Sequence, residues 1–576
     1  MEKKSIRKNP TDLEYRLEDI PPAKVMFPLV LQQLAFLSSN LVYPVIIVGY
    51  INGTEELARN TVAITFITIG IGCILQAMRK GSFGSGFLCV ENPGSMFFPI
   101  SMMAVKAGGL SLLFGMTVIA GLLEIVLSKV IHRLRFLFPP EVTGLVVVTV
   151  GISIIRSGIS TFFGVAEDGR PATYDGISAI IGFISLTVAV GVNIWGKKTM
   201  RQYSFLAGML AGYIAAYYLG VLTDAQIAKI SQTPFFAFPE VNYSGFSFSN
   251  EMVIPFVITA ICASIKMIGN ITTCQKSNDA NWKRLDMDTT QGGLMAEGVS
   301  NVISGMLGGM ALNGSSGSIA LSIATKATSR RIAFVMGGAC ILLALFPKLS
   351  AVFTIMPKPV MGAILIINMC FIILSGLQIL TSRMMDARKT FVIGISLIFG
   401  LGADVIPEIY RSFPEWLQPI VNSSLSITAI SAILLNWLFR IGISDKKTID
   451  LELGKDDSES IFGFMEAQGR LWGVRPEVIH KAASSICEFV DSADALEVTA
   501  PKITVTVKFD EFNLDVFIDY EGPIMDFNCD RPSTAELLED DDAQKRLSCF
   551  LIRSYCDNIK SGERDGRCFV HFHYDH

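Results

Sequence analysis

Few residues between positions 23 and 441 can do chemistry, so those that can are conspicuous. Lys266 lies in the middle of the apolar run ICASIKMIGNITT, too far from either end to snorkel. A cation placed there needs a cavity or an acidic partner. Glu297, in GGLMAEGVSN, falls in the first turns of its own run and is the expected partner. Glu124 lies nearer the end of its run, close to Lys129, and reads as structural. Gln33 is a polar residue within the first apolar run, where a packing or backbone hydrogen bond would account for it. Two apolar segments are broken by small and polar residues, ENPGSMFFP near 84–103 and LNGSSGSIALS near 312–327. Gly94 and Ser95 open the helical part of the first; Gly314, Ser315, Ser316 and Gly317 open that of the second. Irregular backbone cannot face lipid, so it must be buried or line a cavity. There the free N–H groups of a half-helix suit an anionic or acceptor-rich ligand. A small-residue packing face is the plainer alternative.

The elements that would hold these residues follow from composition. Of 576 residues, 51% are hydrophobic and 17% charged, with mean hydropathy +0.47. That excludes a disordered or fibrous chain and argues against a soluble enzyme. No nucleophile–base pair, metal cluster or phosphate loop supports an enzyme either. Twelve apolar runs are long enough to cross a bilayer. With the two broken segments there are 14 crossings. Starting inside, this count puts every basic cluster on the cytoplasmic side: MRK (78–80), KVIHRLR (129–135), KKTMR (197–201), KSNDANWKR (276–284), TKATSRR (325–331) and SRMMDARK (382–389). The external loops, such as NGTEELARN and STFFGVAEDGRPATYDG, are poor in positive charge. The broken segments are the third and tenth of 14, the same place in two halves of seven. Halves with an odd number of spans have opposite topology, and paired broken helices in inverted repeats point to a transporter binding site. No cleavable signal peptide precedes the first span, and the 11 cysteines show no CxxC spacing and read as reduced thiols.

The overall charge of −4 hides a division. Residues 445–576 hold 15 Lys+Arg against 28 Asp+Glu, net −13; residues 1–444 hold 33 against 24, net +9. The expected organisation is a cytoplasmic segment 1–22, a membrane domain 23–441 and an acidic cytoplasmic domain 442–576. The tail reads as mixed α and β. GVRPEVIHKAASSICEFVDSADA has helical spacing, while Ile503, Val505, Val507 and Phe509 alternate as a strand does. LDVFIDY follows, giving a hairpin with FNL near its turn. HFHYDH at 571–576 reads as a solvated chain end, and no metal site is expected. The order helix, strand, strand, D-x-x-G faintly resembles the ATP-binding domain of histidine kinases and anti-sigma factors. Ser492 stands where that domain has its Mg-binding Asn, so a regulatory or oligomerising role is the expectation. The tail's charge argues against nucleic acid as a partner.

Motifs across the membrane part resemble the nucleobase–ascorbate transporters, also called nucleobase–cation symporters. FPPEVTGLVVVTVGISII is similar to that family's FPPxVTGxVxxxIGxxL segment, and GGLMAEGVSNVISGMLGG to its GLxxDGxxxxxxGxxGG helix. GSSGSIALS followed by TSRR resembles its Gln-Asn-x-Gly-x-x-Ala-Leu-Thr…Ser-Arg signature, and FPKLSAVFTIMPKPVMGAILII its FPKxxxxxxxIPxPVxGG stretch. The resemblance implies an all-α polytopic fold of about 14 spans, two intertwined inverted repeats of seven forming core and gate domains. It implies elevator-like transport of uracil, xanthine, urate or another oxo-purine, coupled to H+ or Na+, with no other cofactor. The expected setting is a bacterial inner membrane, with both termini cytoplasmic and a homodimeric assembly.

The sequence departs from the family where substrate chemistry is done. The family's Glu of span 8 is Lys266, with Asn270 four residues on. Its signature Gln/Glu-Asn pair falls on Gly314 and Ser315, with Asn313 just before. Its span-1 His is Gln33, its helix-9 Asp is Glu297, and Ser95, Met96 and Phe97 fall near its Ser-Phe-Ala-Phe. A Lys can only donate hydrogen bonds. The expected ligand is therefore acceptor-rich or anionic, such as a xanthine-like or urate-like oxo-purine, with coupling through Glu297 and Lys266. An inorganic or organic anion transporter on the same 7+7 fold and a purine-sensing receptor signalling through the tail are the alternatives.

Overall fold

The computed structural model describes residues 13–575 apart from segments 135–139, 166–175, 241–244, 382–384, 418–420, 440–445, 454–457, 510–512, 528–531 and 533–541, and positions 80, 82, 202, 281, 283–284, 415–416, 422, 500 and 565. Most of the external loop 160–176, part of the basic cluster at 382–389, Phe512 of the expected hairpin turn and His576 lie outside the described residues.

Among the described residues, seven helices are long and apolar enough to span a membrane: Ala23–Tyr50, Glu55–Ala77, Phe98–Val130, Glu141–Phe162, Gly176–Trp195, Asn250–Ser277 and Lys358–Leu380. The pair Arg330–Ala344 and Pro347–Thr354, bent by 82°, makes an eighth if counted as one span. Helices Gly176–Trp195 and Ser204–Tyr218 expose Ile180, Phe183, Ile194, Leu210 and Ile214, an apolar surface suited to lipid. The chain divides into two compact units, Met1–Gln378 with Gly394–Ile433, and Ile379–Ile393 with Leu434–His576.

Within the first unit, nine elements position the site. They are α1 (Ala23–Leu37), α2 (Glu55–Ala77), β1 (Glu91–Pro93), α3 (Phe98–Leu134), α4 (Asn250–Ser277), α5 (Met287–Leu307), β2 (Leu312–Gly314), α6 (Ser316–Ala324) and α7 (Arg330–Ala344). Both broken segments change from strand to helix. β1 and β2 pair antiparallel, Asn92 opposite Asn313, Glu91 opposite Gly314 and Pro93 opposite Leu312. The ladder is extended by Gly94 N–H donating to Ala311 O at 2.8 Å and Ser315 N–H to Val90 O at 2.9 Å. The irregular backbone is thus satisfied by its counterpart rather than by water, as a membrane interior demands. α3 is broken at Gly109, whose φ of +69° favours glycine; residues 98–107 are the first half-helix.

A local two-fold relation runs through this packing. α2 packs on α7, where a Cβ on Gly70 would lie 2.6 Å from Gly337 O and 3.2 Å from Ile341 N. α5 packs on α3, where a Cβ on Gly298 would lie 2.8 Å from both Gly121 O and Ile125 N. In both contacts a glycine meets a glycine and an isoleucine four residues on. Only hydrogen fits, so the backbones approach closely. The relation continues inward: Cys73 of α2 lies 3.9 Å from Glu91 O, and Asn301 of α5 donates to Leu312 O at 3.1 Å.

The second unit contains helices α8 (Ser458–Trp472), α9 (Pro476–Asp491) and α10 (Asp542–Tyr555) and strands β3 (Lys446–Glu452), β4 (Lys502–Phe509), β5 (Asn513–Tyr520), β6 (Asn558–Arg564) and β7 (Arg567–Asp575). The sheet order is β3-β4-β5-β7-β6, all antiparallel. The expected helix and the two expected strands are present, and β4 and β5 pair as expected. HFHYDH is not a solvated chain end. Its residues through Asp575 complete β7, where Val570, Phe572 and Tyr574 point into the core and His571 and His573 to the outer face. Phe489 of α9 meets Tyr520 and Phe572 at ring centroid distances of 5.6 and 6.5 Å. Ser492 at the end of α9 hydrogen-bonds Ser548 at 2.7 Å.

Candidate functional site

The β1–β2 ladder places the polar residues of four elements together. Lys266 projects from α4, and its ammonium donates to Asn313 Oδ1 at 2.7 Å. Asn313 Nδ2 donates to Glu297 Oε1 at 2.8 Å, and the Gly314 N–H donates to the same oxygen at 3.1 Å. Glu297 is therefore joined to Lys266 through Asn313 and not by the expected direct ion pair. One turn along α4, Asn270 Nδ2 donates to Gly314 O at 2.9 Å and Asn270 Oδ1 accepts from Ser316 Oγ at 2.7 Å. Gly314 is held on both sides, and a Cβ there would lie 2.6 Å from Met267 Sδ. Ser315 caps α6, accepting from Ser318 N–H at 3.3 Å.

The remaining expected residues surround this network. Gln33 of α1 donates to Ser318 O at 3.2 Å and Ser322 Oγ at 2.9 Å, against the flank of α6. Its Oε1 and Ser318 Oγ are buried without a hydrogen-bond partner among the described residues. Ser95, Met96 and Phe97 form the turn into α3, closed by Phe97 N–H on Gly94 O at 3.0 Å. Met96 and Phe97 are buried and Ser95 is half-exposed. No hydrogen bond ties these three to the Lys266 network among the described residues. A site for Gly94 beside it is fixed by packing, because a Cβ there would lie 3.2 Å from Asn313 Cβ.

Two acidic residues enlarge the cluster. Glu91 of β1, which sequence reasoning passed over, is fully buried and accepts from Gln76 Nε2 at 2.8 Å. It lies within electrostatic reach of Lys266, as does Glu297. Glu124, expected beside Lys129, instead accepts from Asn301 Nδ2 at 2.7 Å and is fully buried. Asn301 Oδ1 in turn accepts from Leu312 N–H at 2.6 Å, tying Glu124 to the ladder. One oxygen of each of Glu91, Glu124 and Glu297 has no hydrogen-bond partner among the described residues. Glu91 and Glu297 thus share the single Lys266 ammonium, with Glu124 as a third buried carboxyl behind them, and the cluster can take up a proton or balance a cation.

The open side of the network is the Lys266 face of α4. Lys266 is half-buried, Gly269 and Thr273 are exposed on the same face, and nothing lies within 4 Å of where a Gly269 Cβ would sit. An ammonium has three donors, of which Asn313 takes one. The arrangement can present donors to an acceptor-rich ligand while buried carboxyls stand behind it.

The chain is similar to known proteins over its membrane part. The model of the permease family matches residues 24–409. The xanthine permease XanP of Escherichia coli is 27% identical over 448 residues, covering 74% of this chain and 95% of that protein. The xanthine permease XanQ of the same organism is 26% identical over 453 residues, covering 76% and 96%. The uric acid permease PucJ of Bacillus subtilis is 26% identical over 432 residues, covering 74% and 94%. The family match ends before the tail begins, and covers more than half of the sequence. The chain belongs to the permease family, that of the xanthine and uracil permeases.

Proposed function

We propose that this protein is a secondary active transporter of a nucleobase, an oxo-purine such as xanthine or urate, or uracil. The relatives named for xanthine and uric acid support the substrate class. The observation that carries the reading is the Lys266–Asn313–Glu297 chain at the meeting point of the two broken segments. Lys266 donates to an exocyclic carbonyl oxygen or a deprotonated ring nitrogen of an oxo-purine lying along the Lys266–Gly269 face. Ser95, Met96, Phe97, Ser315, Ser316 and Gln33 frame that ligand from the two segments and α1. Asn270 and Gly314 hold the second segment in place.

The two-fold relation between the α2–α7 and α3–α5 contacts supports 14 spans as two inverted repeats of seven. In this reading an elevator-like movement of one domain against the other gives alternating access. Glu91, Glu124 and Glu297 supply the coupling site, their unpartnered oxygens taking a proton or balancing Na+. The membrane domain is residues 23–441 and the acidic domain 442–576. Both termini lie, in this reading, on the cytoplasmic side of a bacterial membrane, and the basic loops support that orientation. A homodimer is the proposed assembly.

Uptake by purified protein in proteoliposomes tests this reading. Labelled xanthine, urate and uracil are compared with sulfate and bicarbonate, under an imposed proton or sodium gradient. Gradient-driven accumulation of at least one base supports it. Accumulation of sulfate or bicarbonate and of no base refutes it and favours the anion reading of Lys266.

A further inference from the structure

The outer face of the tail sheet carries a second cluster that transport does not use. Asp515 of β5 pairs directly with His573 of β7, and His571 lies two residues along the same face. Asp515 Oδ1 is 2.8 Å from His571 Nε2 and 2.7 Å from His573 Nδ1. One carboxylate oxygen thus meets two imidazoles, and the three ligand atoms lie within 4.8 Å of one another. We propose that His571, His573 and Asp515 bind a divalent transition-metal ion of the zinc class on the outer face of the tail sheet.

Three observations shape the site. The Phe517 ring stacks on His571 at 4.3 Å with 5° between planes, which fixes the imidazole's orientation. Asp575 Oδ1 lies 3.6 Å from His573 Nε2, the nitrogen turned away from Asp515. A ligating imidazole with a carboxylate behind its other nitrogen is the arrangement that orients histidines in metal sites. The side chains are 20% exposed for His571, 27% for His573 and 20% for Asp515, so solvent or a further ligand can complete the coordination.

Two imidazole nitrogens and one carboxylate oxygen suit zinc-like ions, whereas Mg2+ and Ca2+ favour all-oxygen sets. Bonds of about 2.0 Å in tetrahedral array separate ligand atoms by roughly 3.3 Å. The carboxylate must therefore withdraw by about half an ångström from its present hydrogen-bonding distance. The partial exposure of the Asp515 side chain leaves room for that shift. The charged groups directly opposite the cluster on the flanking strands are Lys508, opposite Asp515 on β4, and Lys560, opposite His571 on β6; both are exposed and oppose a cation, while Asp519 and Asp575 on the same face favour one. The tail's net charge of −13 favours one.

The test uses the full-length protein in detergent without a polyhistidine tag. Titration with Zn2+ alone, followed by metal analysis, is expected to give one ion per chain, with no comparable binding of Mg2+. Asp575→Asn is expected to weaken Zn2+ binding by about 10- to 100-fold, and His571→Ala or His573→Ala by more. X-ray absorption at the zinc edge of the wild-type protein is expected to show two imidazoles. Absence of stoichiometric binding, binding unchanged in the H571A/H573A double variant, or fewer than two imidazoles in the wild-type spectrum each overturns the proposal. The last measurement stands even if a variant fails to fold.

Discussion

If Asn313 serves the ligand by aiming Lys266, the two residues must act as one unit in binding. Lys266→Met keeps the length and apolar volume of the side chain and removes the ammonium. A hydrogen bond to a charged group contributes about 1.5–3 kcal/mol. At 1.4 kcal/mol per tenfold, the Kd for xanthine should rise roughly 10- to 150-fold. Asn313→Ala removes the 2.7 Å bond that holds the ammonium and the 2.8 Å bond to Glu297. Its effect should be of similar size. In the double variant the losses should not add, because Asn313 has no ammonium left to place. The coupling energy should be about 1.5–3 kcal/mol. Equilibrium binding of labelled xanthine to the four purified proteins measures it, with thermal unfolding in the same detergent as a check on folding. Additivity within about 0.5 kcal/mol would show two independent residues and refute the reasoning, as would an unchanged Kd in Lys266→Met.

Other outcomes follow from the same geometry. Glu91→Gln keeps the bond from Gln76 but removes an ionisable group; it should abolish gradient-driven accumulation while leaving substrate exchange, measured as counterflow in the same proteoliposomes. Gly298→Leu would drive a side chain into Gly121 O and Ile125 N. Overpacking of this kind costs about 1–3 kcal/mol or more, so the melting temperature should fall, whereas Gly269→Ala, which meets nothing within 4 Å, should leave it unchanged. In the tail, burial alone would raise the Asp515 pKa, but the hydrogen bonds and charges of His571 and His573 outweigh it and hold the carboxyl below its usual range. A depressed folded-state pKa stabilises the tail above the unfolded value of about 3.9 and is lost as pH falls through the folded value. Pepsin digestion should therefore cut the tail faster as the pH drops below about 4, and Asp515→Asn should remove that part of the acid response.

The membrane elements were legible because a long apolar run has one physical use, and the breaks were legible because Gly, Ser and Asn interrupt such runs. Lys266 and Glu297 stood out for the same reason. The direct ion pair expected between them was wrong in detail. Spacing along the sequence carries no information on which side chain stands between two others, and Asn313 enters from a different segment. Glu91 was missed because it sits beside Asn92 and Pro93 in an interrupted segment and so passed as loop polarity. A segment that must be buried makes any acid within it notable, and that signal was available. Asn301, four residues after Glu297 on the same helix face, was likewise readable as part of the cluster. In the tail, the alternation Cys568, Val570, Phe572, Tyr574 was present, but two histidines between them and Asp575 after them gave the run the look of a polar end. β3, written KKTIDLE, is masked by its charges in the same way.

The β1–β2 ladder also has a consequence for biosynthesis. Its strands lie about 220 residues apart in the chain, and the ladder bonds of residues 90–94 are made with residues 311–315. At about 5–20 residues per second, roughly 10–40 s separate the synthesis of the two. Throughout that interval the first segment waits beside a bilayer in which unsatisfied peptide groups cost several kcal/mol each. It must stay at the translocon, sheltered by a chaperone or by water, until the second arrives. The candidate site consequently cannot form before residues 311–315 are made, and a ribosome stalled before residue 311 carries spans without that ladder.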